Sequence, residues 1–414
     1  MPIFRLLHIA DVHLGARTYR KLSPGTLEDL RLRDFERALN EILDSAISRD
    51  IDIALFAGDT FSTPYPSPDL QNIVYSAIKK LLGNGVKSVF LLGNHELPGA
   101  TRKAHTFLPL KSLELPGVKV ADSIESFTLK TKNGSLDFIS LPYPTKSWIF
   151  RKYPRLTNTP VERLLSFGYK LFLAEVAKLL RTYRGENPLI FLAHIFVSDA
   201  IVSGWNREYI SGEEFYFPRD AINRFPFTYA ALGHIHRFQD LNQGKPFPMV
   251  YSGSLERITF SEQDERKGGV IVELYREESA WKARYEFIRV HPRNFITIEA
   301  DLRDEKEPVS KLAHLIASRN IKDAIVRVNI RLRRAEGKAV DMRELSRLMS
   351  PAFDWRTQIF YDEPLRQPES PGFDWGNPIS AIARYIDTCP ELKLEKNNLL
   401  ELVRELYREI EGQT

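Results

Sequence analysis

The chain has 414 residues, of which 43% are hydrophobic and 27% are charged, a balance typical of a soluble globular protein with a full-sized core. Its 58 lysines and arginines against 54 aspartates and glutamates give a net charge of +4, which permits a nucleic-acid partner without arguing for one. The single cysteine, Cys389, excludes an internal disulfide and a thiolate metal cluster. Any metal site must therefore use His, Asp, Glu or Asn side chains.

Apolar runs rich in β-branched and aromatic residues predict a series of strands up to about residue 290. In chain order they are IFRLLHIA, DIALFAGD, SVFLLGN, LDFISLPY, LIFLAHIF, FTYAALGH, MVYSGS, GGVIVELY and RYEFIRVH. Helical spacing precedes the second strand at Leu32, Phe35, Leu39, Ile42 and Ala46, and the third at Leu70, Ile73, Ala77 and Leu81. This βαβα start, followed by strands with fewer helices, predicts an α/β core of two packed sheets over residues 1–290.

The chain after residue 290 is predicted to form smaller units. FITIEADLR, a helix near residues 309–319, AIVRVNIRLRR and TQIFYDEPLR indicate an α+β domain over residues 291–366. The Pro- and Gly-containing stretch that follows indicates a linker at residues 367–378. Residues 379–414 are predicted to be helical, and the last helix carries an apolar stripe at Leu399, Val403, Leu406 and Ile410. The N-terminal run does not resemble a signal peptide and no apolar run approaches membrane-spanning length, so we expect a cytoplasmic protein.

Side chains of the metal-ligand type follow the predicted core strands. They are Asp11 and His13 in ADVHLG, Asp59 in AGDTF, Asn94 and His95 in LGNHE, His194 in LAHIF, and His234 and His236 in GHIH. Alone, Asp59 or Asn94 would be an ordinary cap or turn residue, and the histidine pair could be packed or solvated. Their recurrence at successive strand ends, which gather at one edge of an α/β sheet, favours a metal site.

The GHIH run places two histidines one residue apart at the end of an apolar strand, and the directions of their side chains decide whether both can reach one site. In an extended chain, residues at i and i+2 point the same way. We therefore expect His234 and His236 to share one face, with Ile235 directed into the core.

The ligand types narrow the chemistry. Imidazole, carboxylate and amide oxygen without thiolate suit Mn, Fe, Zn or Co in five- or six-coordinate geometry. The ligands exceed what one ion needs, so we expect two ions that share a carboxylate. A pair about 3.5 to 4 Å apart can activate water and stabilise the oxygens of an in-line displacement at phosphorus. His95, beside a ligand, is left to bind the phosphate or to protonate the leaving oxygen.

The motifs ADVHLG, GDTF, GNHE, the single His194 and GHIH, in this order, resemble the signature of the calcineurin-like metallophosphoesterases. The run ALGHIHRFQ, followed by PMVYSGSLERITFSEQDERKGGVIVEL, resembles more closely the SbcD and meiotic recombination eleven nucleases of DNA repair and recombination, over about residues 3–290. The resemblance implies an α/β/β/α sandwich, a capping domain that helps place DNA over the metals, and C-terminal helices that bind the coiled-coil base of an SbcC-like ABC ATPase. It also implies a homodimer.

The resemblance further implies the roles of the site residues. One ion would be held by Asp11, His13, Asp59 and His236, and the other by Asp59, Asn94, His194 and His234, with Asp59 bridging. His95 would be catalytic and the ions Mn. One departure is Ser62, which stands where the family commonly carries another Asp. The arginine that Ser/Thr phosphatases of the superfamily place after this motif is absent from GDTFSTPYPSP, which counts against a protein phosphatase.

The segment VRVNIRLR alternates strictly between apolar and polar residues. Val326, Val328, Ile330 and Leu332 are predicted to face the domain, and Arg327, Asn329, Arg331 and Arg333 the opposite side. Alternating charge usually marks a solvated sheet surface. Beside a phosphodiester-cleaving core we interpret Arg327, Arg331 and Arg333 as binding the DNA backbone, because guanidinium groups suit phosphate.

The sequence thus predicts a Mn-dependent DNA exonuclease and endonuclease that cleaves at DNA ends and hairpins and acts with an SbcC-like ATPase in double-strand break repair. One alternative is a small-molecule or cyclic-nucleotide phosphodiesterase. The residues beyond the core and the arginine stripe count against this alternative. The other is a non-catalytic DNA-end-binding scaffold, which would have to be inactive although every ligand position is filled.

Overall fold

The computed structural model describes residues 3–26, 28–98, 104–202, 214–303, 305, 307–333, 340–361, 378–388 and 396–411. Within the helices, the side chains at 378, 381, 384, 388 and 406–411 are not among those described. The predicted linker therefore lies almost wholly outside the described residues, as do Cys389 and the side chains of Leu406 and Ile410.

The described elements follow in chain order. The strands are β1 (Phe4–Ile9), β2 (Ile53–Phe56), β3 (Lys87–Leu91), β4 (Val118–Ala121), β5 (Glu125–Thr131), β6 (Gly134–Leu141), β7 (Leu189–His194), β8 (Phe196–Val197), β9 (Tyr216–Phe217), β10 (Tyr229–Gly233), β11 (Gln239–Asp240), β12 (Met249–Tyr251), β13 (Gly268–Glu277), β14 (Ala280–Arg289), β15 (Phe295–Asp301), β16 (Ile325–Leu332) and β17 (Asp354–Tyr361). The helices are α1 (Leu30–Ile47), α2 (Pro68–Gly83), α3 (Leu108–Ser112), α4 (Lys146–Lys152), α5 (Val161–Leu179), α6 (Arg219–Ile222), α7 (Pro308–Ala317), α8 (Met342–Leu348), α9 (Pro378–Thr388) and α10 (Lys396–Glu411).

Two six-stranded sheets form the core, with orders β14-β13-β1-β2-β3-β4 and β11-β12-β10-β7-β6-β5. In the first, β1 to β4 are parallel and β13 is antiparallel to β1. In the second, β6, β7, β10 and β12 are parallel, while β5 and β11 are antiparallel strands at the edges. The carboxyl ends of β1, β2 and β3 in one sheet, and of β7 and β10 in the other, lead into the loops that carry the predicted ligands.

Helices cover the outer face of each sheet, and this explains the unbroken apolar strands. In β2, Ile53 and Leu55 belong to the core between the two sheets, whereas Ala54 and Phe56 belong to the core under α1 and α2. The outer face of the second sheet packs on α5 through residues such as Phe172. Strands buried on both faces form nearly continuous apolar runs. The predicted α/β/β/α sandwich is confirmed.

All nine strands predicted in the core are present, as are α1 and α2. The expectation of few helices in the second half overlooks α5, which is 19 residues long. Gly168 interrupts its helical pattern, and the structure gives the reason: a Cβ there would lie 2.3 Å from the Phe215 ring. Gly168 thus allows the Phe215 ring to pack closely against the helix. Because glycine has a low helix propensity, it also makes the helix harder to predict from the sequence.

The chain divides into two compact units. The larger contains Met1–Thr297, Arg319–Arg327 and Met349–Arg356, and therefore both six-stranded sheets; the smaller contains Ile298–Ser318, Val328–Leu348 and Thr357–Thr414. A three-stranded sheet has the order β15-β16-β17, and α9 and α10 pack on each other within the smaller unit. The domain boundaries drawn from the sequence stay predictions. Among the described helices, none is long and apolar enough to cross a membrane.

Candidate metal centre

The predicted ligands come together between the ends of the two sheets, in two adjoining groups. Asp11, His13 and His236 each offer one ligand atom, and these atoms lie within 4.8 Å of one another. The Nε2 atoms of His13 and His236 are 3.0 Å apart. In the second group, the Asn94 Oδ1 atom lies 3.1 Å from His194 Nε2 and 3.3 Å from His234 Nδ1.

Asp59 joins the two groups. Its Oδ2 atom lies 3.3 Å from Nε2 of His194 and 3.8 Å from Nε2 of His13. Its Oδ1 atom accepts a hydrogen bond of 2.9 Å from the backbone N–H of His95, which fixes the rotation of the carboxylate. One oxygen of a single side chain is therefore placed within reach of both halves of the cluster.

The outward nitrogen of three of these imidazoles is fixed by an acceptor. His194 Nδ1 donates to the Ala57 carbonyl oxygen at 2.8 Å, His236 Nδ1 to Glu262 at 3.1 Å, and His234 Nε2 to Glu214 at 3.0 Å. Carbonyl and carboxylate oxygens only accept, so each of these nitrogens carries the proton. The opposite nitrogen then turns its lone pair toward the cluster, as metal ligation requires. The residues present fit a pair of divalent ions.

The backbone at the site adopts conformations that side chains rarely take. Asp11, His13 and Asp59 have φ angles of 51°, 50° and 51°, in the left-handed region that costs about 1 to 3 kcal/mol for a non-glycine residue. Close approach of the strand ends adds a second constraint, since a Cβ on Gly93 would lie 2.1 Å from Asp59 Oδ1. Strain of this kind persists where the surrounding structure enforces it, which is common at functional sites.

The predicted extended geometry of GHIH is wrong. Strand β10 ends at Gly233, and His234 has a φ of 100°, so the chain turns at His234. His234 lies with Asn94, and His236 lies with His13. Ile235 is fully buried, as expected. Glycine precedes the turn because a Cβ at Gly233 would lie 2.0 Å from the Ala57 carbonyl oxygen.

Burial and the interactions among the cluster residues raise the pKa of some of these residues and lower the pKa of others. Burial raises the pKa of Asp11, and burial together with His236 lowers the pKa of His13. Burial also disfavours the imidazolium of His194, but the Asp59 and Asp11 carboxylates outweigh it and raise its pKa to about 9. A divalent cation resolves this conflict, because it stabilises ionised carboxylates and binds neutral imidazoles.

His95 lies at the rim of the cluster, with its side chain 35% exposed. Its Nδ1 atom donates to the backbone carbonyl of Ser62 at 3.2 Å, and its Nε2 atom is 4.0 Å from Asp59 Oδ2. The Ser62 hydroxyl instead donates to the Leu14 carbonyl. The acceptor for His95 is therefore the main-chain oxygen of Ser62 and not its side chain.

Three carboxylates that support the site were missed in the sequence. Glu96 is buried and accepts hydrogen bonds from the N–H groups of Asp59, Phe61 and Gly93 at 2.9, 3.0 and 2.8 Å, so it ties the loop after β2 to the loop after β3. Burial and Asp59 raise the pKa of Glu96 to about 8. Glu96 directly follows His95 in the GNHE motif, and this position could have identified it as a residue of the site. Glu214 lies in none of the quoted motifs, and Glu262 lies within PMVYSGSLERITFSEQDERKGGVIVEL, but sequence spacing alone does not reveal that they contact the histidines.

The predicted DNA-binding stripe is only partly exposed. Val326, Val328, Ile330 and Leu332 are buried, as predicted, and Arg331 and Arg333 are exposed. Arg327 is half-buried: its guanidinium lies 4.6 Å from the centre of the Phe260 ring, and its Nη2 donates to Thr297 Oγ1 at 3.2 Å. On the last helix, Leu399 and Val403 are half-buried and Leu402 is exposed.

Residues 4–238 match the family described as calcineurin-like phosphoesterase. The chain belongs to this family. The DNA double-strand break repair protein Mre11 of Methanocaldococcus jannaschii is 28% identical over 316 residues, which are 74% of this chain and 72% of that protein. The D component of nuclease SbcCD from Staphylococcus saprophyticus is 24% identical over 322 residues, 75% of each chain. The solved structure of a dimetal phosphatase from Danio rerio aligns with 69% of this chain and 99% of its own at 13% identity, with a TM-score of 0.38.

These matches confirm the predicted resemblance to the metallophosphoesterases of the SbcD and Mre11 type. They also confirm that the chain is a metal-dependent phosphodiesterase by family. The cluster of buried carboxylates and imidazoles described above is the part of the fold that suits this chemistry.

Proposed function

We propose that this chain is a two-metal nuclease that hydrolyses phosphodiester bonds at DNA ends and hairpins. The observation that carries the proposal is the place of Asp59 Oδ2, between Nε2 of His13 and Nε2 of His194. A carboxylate shared in this way is what a two-ion phosphodiesterase needs. The names of the relatives, which include DNA repair proteins and a nuclease component, support DNA as the substrate.

The residues divide into two ligand sets. Asp11, His13, Asp59 and His236 would hold one ion, and Asp59, Asn94, His194 and His234 the other. When bound, the ions supply an activated water and positive charge for the oxygens of the reacting phosphate. Imidazole, carboxylate and amide ligands suit Mn, Fe, Zn or Co, and we propose Mn among them because of the resemblance to the SbcD and Mre11 nucleases.

His95 would act on the substrate itself. With Nδ1 donating to the Ser62 carbonyl, its Nε2 atom faces the side of the cluster where Asp59 lies. In the protonated form Nε2 can donate a hydrogen bond to a phosphate oxygen and then transfer its proton to the leaving oxygen. The exposed rim position gives a phosphodiester access to this group.

A comparison of two substrates tests the proposal against its alternatives. We expect cleavage of end-labelled duplex and hairpin DNA with Mn to exceed, at equal concentrations, hydrolysis of a small chromogenic diester. Preference for the small diester would favour a small-molecule phosphodiesterase. Binding of DNA ends without hydrolysis of either substrate would favour the non-catalytic scaffold.

The exposed arginines would contact the DNA backbone. Arg331→Glu should weaken duplex binding and reduce the slope of log K against log salt concentration by about 0.9, because one fewer phosphate is neutralised. Hydrolysis of the small diester should stay unchanged, because Arg331 is not part of the metal cluster. Binding titrations at several salt concentrations measure both the affinity and the slope. Arg343→Glu, which reverses another exposed charge, is the control. Equal slopes for the two variants would mean that Arg331 is a solvated surface residue that does not contact DNA.

The C-terminal helices would dock on a partner. An amphipathic helix can lay an apolar face into a groove through anchors at this spacing, and Leu399, Val403, Leu406 and Ile410 provide the anchors. We propose that the partner is an SbcC-like ABC ATPase, in line with the relatives named as the D component of nuclease SbcCD, and that the nuclease is a homodimer, which light scattering tests.

Removal of the residues after Pro371 should leave two metals and nuclease activity in place but abolish co-purification with the ATPase. Val403→Glu in the full chain should have the same effect on binding alone, since it places a charge in the apolar stripe. Early melting of the shortened chain would show that the helices belong to the core. Normal ATPase binding by both variants would place the docking site elsewhere.

A further inference from the structure

A buried carboxylate lies behind one metal ligand. Glu262 is fully buried in the 3-10 turn Phe260–Glu262, and its Oε1 atom accepts a hydrogen bond of 3.1 Å from Nδ1 of His236. On the opposite side of that ring, Nε2 of His236 lies 3.0 Å from Nε2 of His13. Glu262 is therefore aligned with the imidazole and with the cluster beyond it, although it offers no ligand atom itself.

A buried lysine holds this carboxylate in place. Lys267 is 2% exposed, and its Nζ atom donates to Glu262 Oε2 at 2.7 Å, to Glu265 Oε2 at 3.0 Å and to Ser254 Oγ at 2.8 Å. Lysine has donors only, so Oε2 of Glu262 must accept on this side. Oε1 of Glu262 thus accepts from His236, while Oε2 accepts from Lys267 and, at 3.3 Å, from the backbone N–H of Ile258. None of these contacts can reverse its direction.

The turn that carries Glu262 is itself anchored. The Phe260 ring packs edge-on against Phe295 and Tyr19, at 5.0 and 5.6 Å between ring centres. The guanidinium of Arg327 lies over the same ring at 4.6 Å. Aromatic and cation–π contacts of this kind fix the turn, so Arg327 serves the position of Glu262 as well as the sheet to which it belongs.

We propose that Glu262 is a positioning residue of the metal centre. Held by Lys267, it keeps the proton of His236 on Nδ1 and aims Nε2 at the ion position that His236 shares with His13 and Asp11. The proposal rests on the proposed function, because it assumes an ion at that position. His194 donates instead to the neutral Ala57 carbonyl, and His234 donates to Glu214, so Glu262 serves this one position.

Glu262→Gln tests the proposal sharply because glutamine has one acceptor and one donor end. Lys267 requires the acceptor end, so the amide NH2 would face His236 Nδ1, and that nitrogen must then lose its proton. The proton moves to Nε2, which no longer presents a lone pair to the ion. We expect Mn affinity at one of the two positions to fall about 10- to 100-fold, as when other outer carboxylates of metal ligands are removed, and affinity at the other position to stay unchanged.

The measurements use the full chain. Calorimetric titration with Mn gives the two affinities, and ring-nitrogen NMR of the ion-free protein shows the tautomer of His236 whatever the ion count. Glu265→Gln is the matched control, since Glu265 contacts Lys267 in the same cluster, and it should change neither reading. Glu214→Ala, which removes the acceptor of His234, should weaken the other position. Glu262→Asp is the second variant, for use if the glutamine variant fails to fold. Its shorter side chain keeps a carboxylate for Lys267 but moves it away from His236, and it should lower Mn affinity at the same position.

An unchanged tautomer and unchanged Mn affinities in both Glu262 variants would overturn the proposal while leaving two-metal catalysis intact. Equal losses at both positions, with a lowered melting temperature, would also overturn it, since Glu262 would then be structural. Failure of the unaltered chain to bind two Mn ions would instead overturn the proposed function.

Discussion

Replacing Asp59 by asparagine should cost the chain both metal ions and lower DNA hydrolysis by on the order of 10³-fold or more. The amide keeps the size of the side chain and, through Oδ1, the acceptor for the N–H of His95. It replaces the charged Oδ2, which lies within 3.3 to 3.8 Å of His194 and His13, with a neutral group. Because this oxygen serves both halves of the cluster, its loss should affect both ions together.

Metal analysis after dialysis, together with cleavage kinetics, measures the two effects of Asp59→Asn. Asp69→Asn makes the same chemical change at an exposed position in the first turn of α2 and should alter neither. Retention of one ion at full affinity would mean that Asp59 does not bridge.

His95→Ala should leave the metal content nearly intact and lower DNA cleavage by about 10²- to 10⁴-fold, the usual contribution of a positioned general acid. The reason is its place at the rim, where Nδ1 is fixed by Ser62 and Nε2 is 4.0 Å from the nearest carboxylate oxygen of Asp59. The same metal analysis and kinetics apply.

His105→Ala is the control for this variant. His105 belongs to the same connecting region but pairs with Asp122 at 3.1 Å, outside the metal cluster, and its loss should not slow cleavage comparably. The ligand atoms of His13, Asp59 and His95 do lie within 4.8 Å of one another. Loss of an ion in His95→Ala would therefore show that His95 is a ligand.

The sequence predicted the ligands because each one follows a strand in the same way. Asp11, Asp59, Asn94 and His194 stand at or just beyond the ends of β1, β2, β3 and β7, and parallel topology brings such ends together. The apolar strands were equally readable, since burial on both faces leaves few polar positions. Both signals are local in sequence, and the repeated pattern of the fold makes them reliable.

The support of these ligands was not readable, because it depends on contacts between distant segments. Glu262 meets His236 from 26 positions away, and Glu214 approaches His234 from a different loop. The turn at His234 depends on how closely Gly233 approaches Ala57, which no periodicity expresses. Arg327 fitted an alternating stripe, yet its direction is decided by the Phe260 ring. These features follow from packing, which the sequence pattern does not describe.

The most direct test of a two-metal centre is cleavage of end-labelled duplex DNA by chelator-treated protein during titration with Mn. We expect no cleavage before Mn is added, little after one equivalent per chain, and full activity as the second equivalent binds. The same titration of Asp59→Asn should give no cleavage at any of these ratios. Full activity at one equivalent, or cleavage that persists in the chelator, would contradict a two-metal centre joined by Asp59.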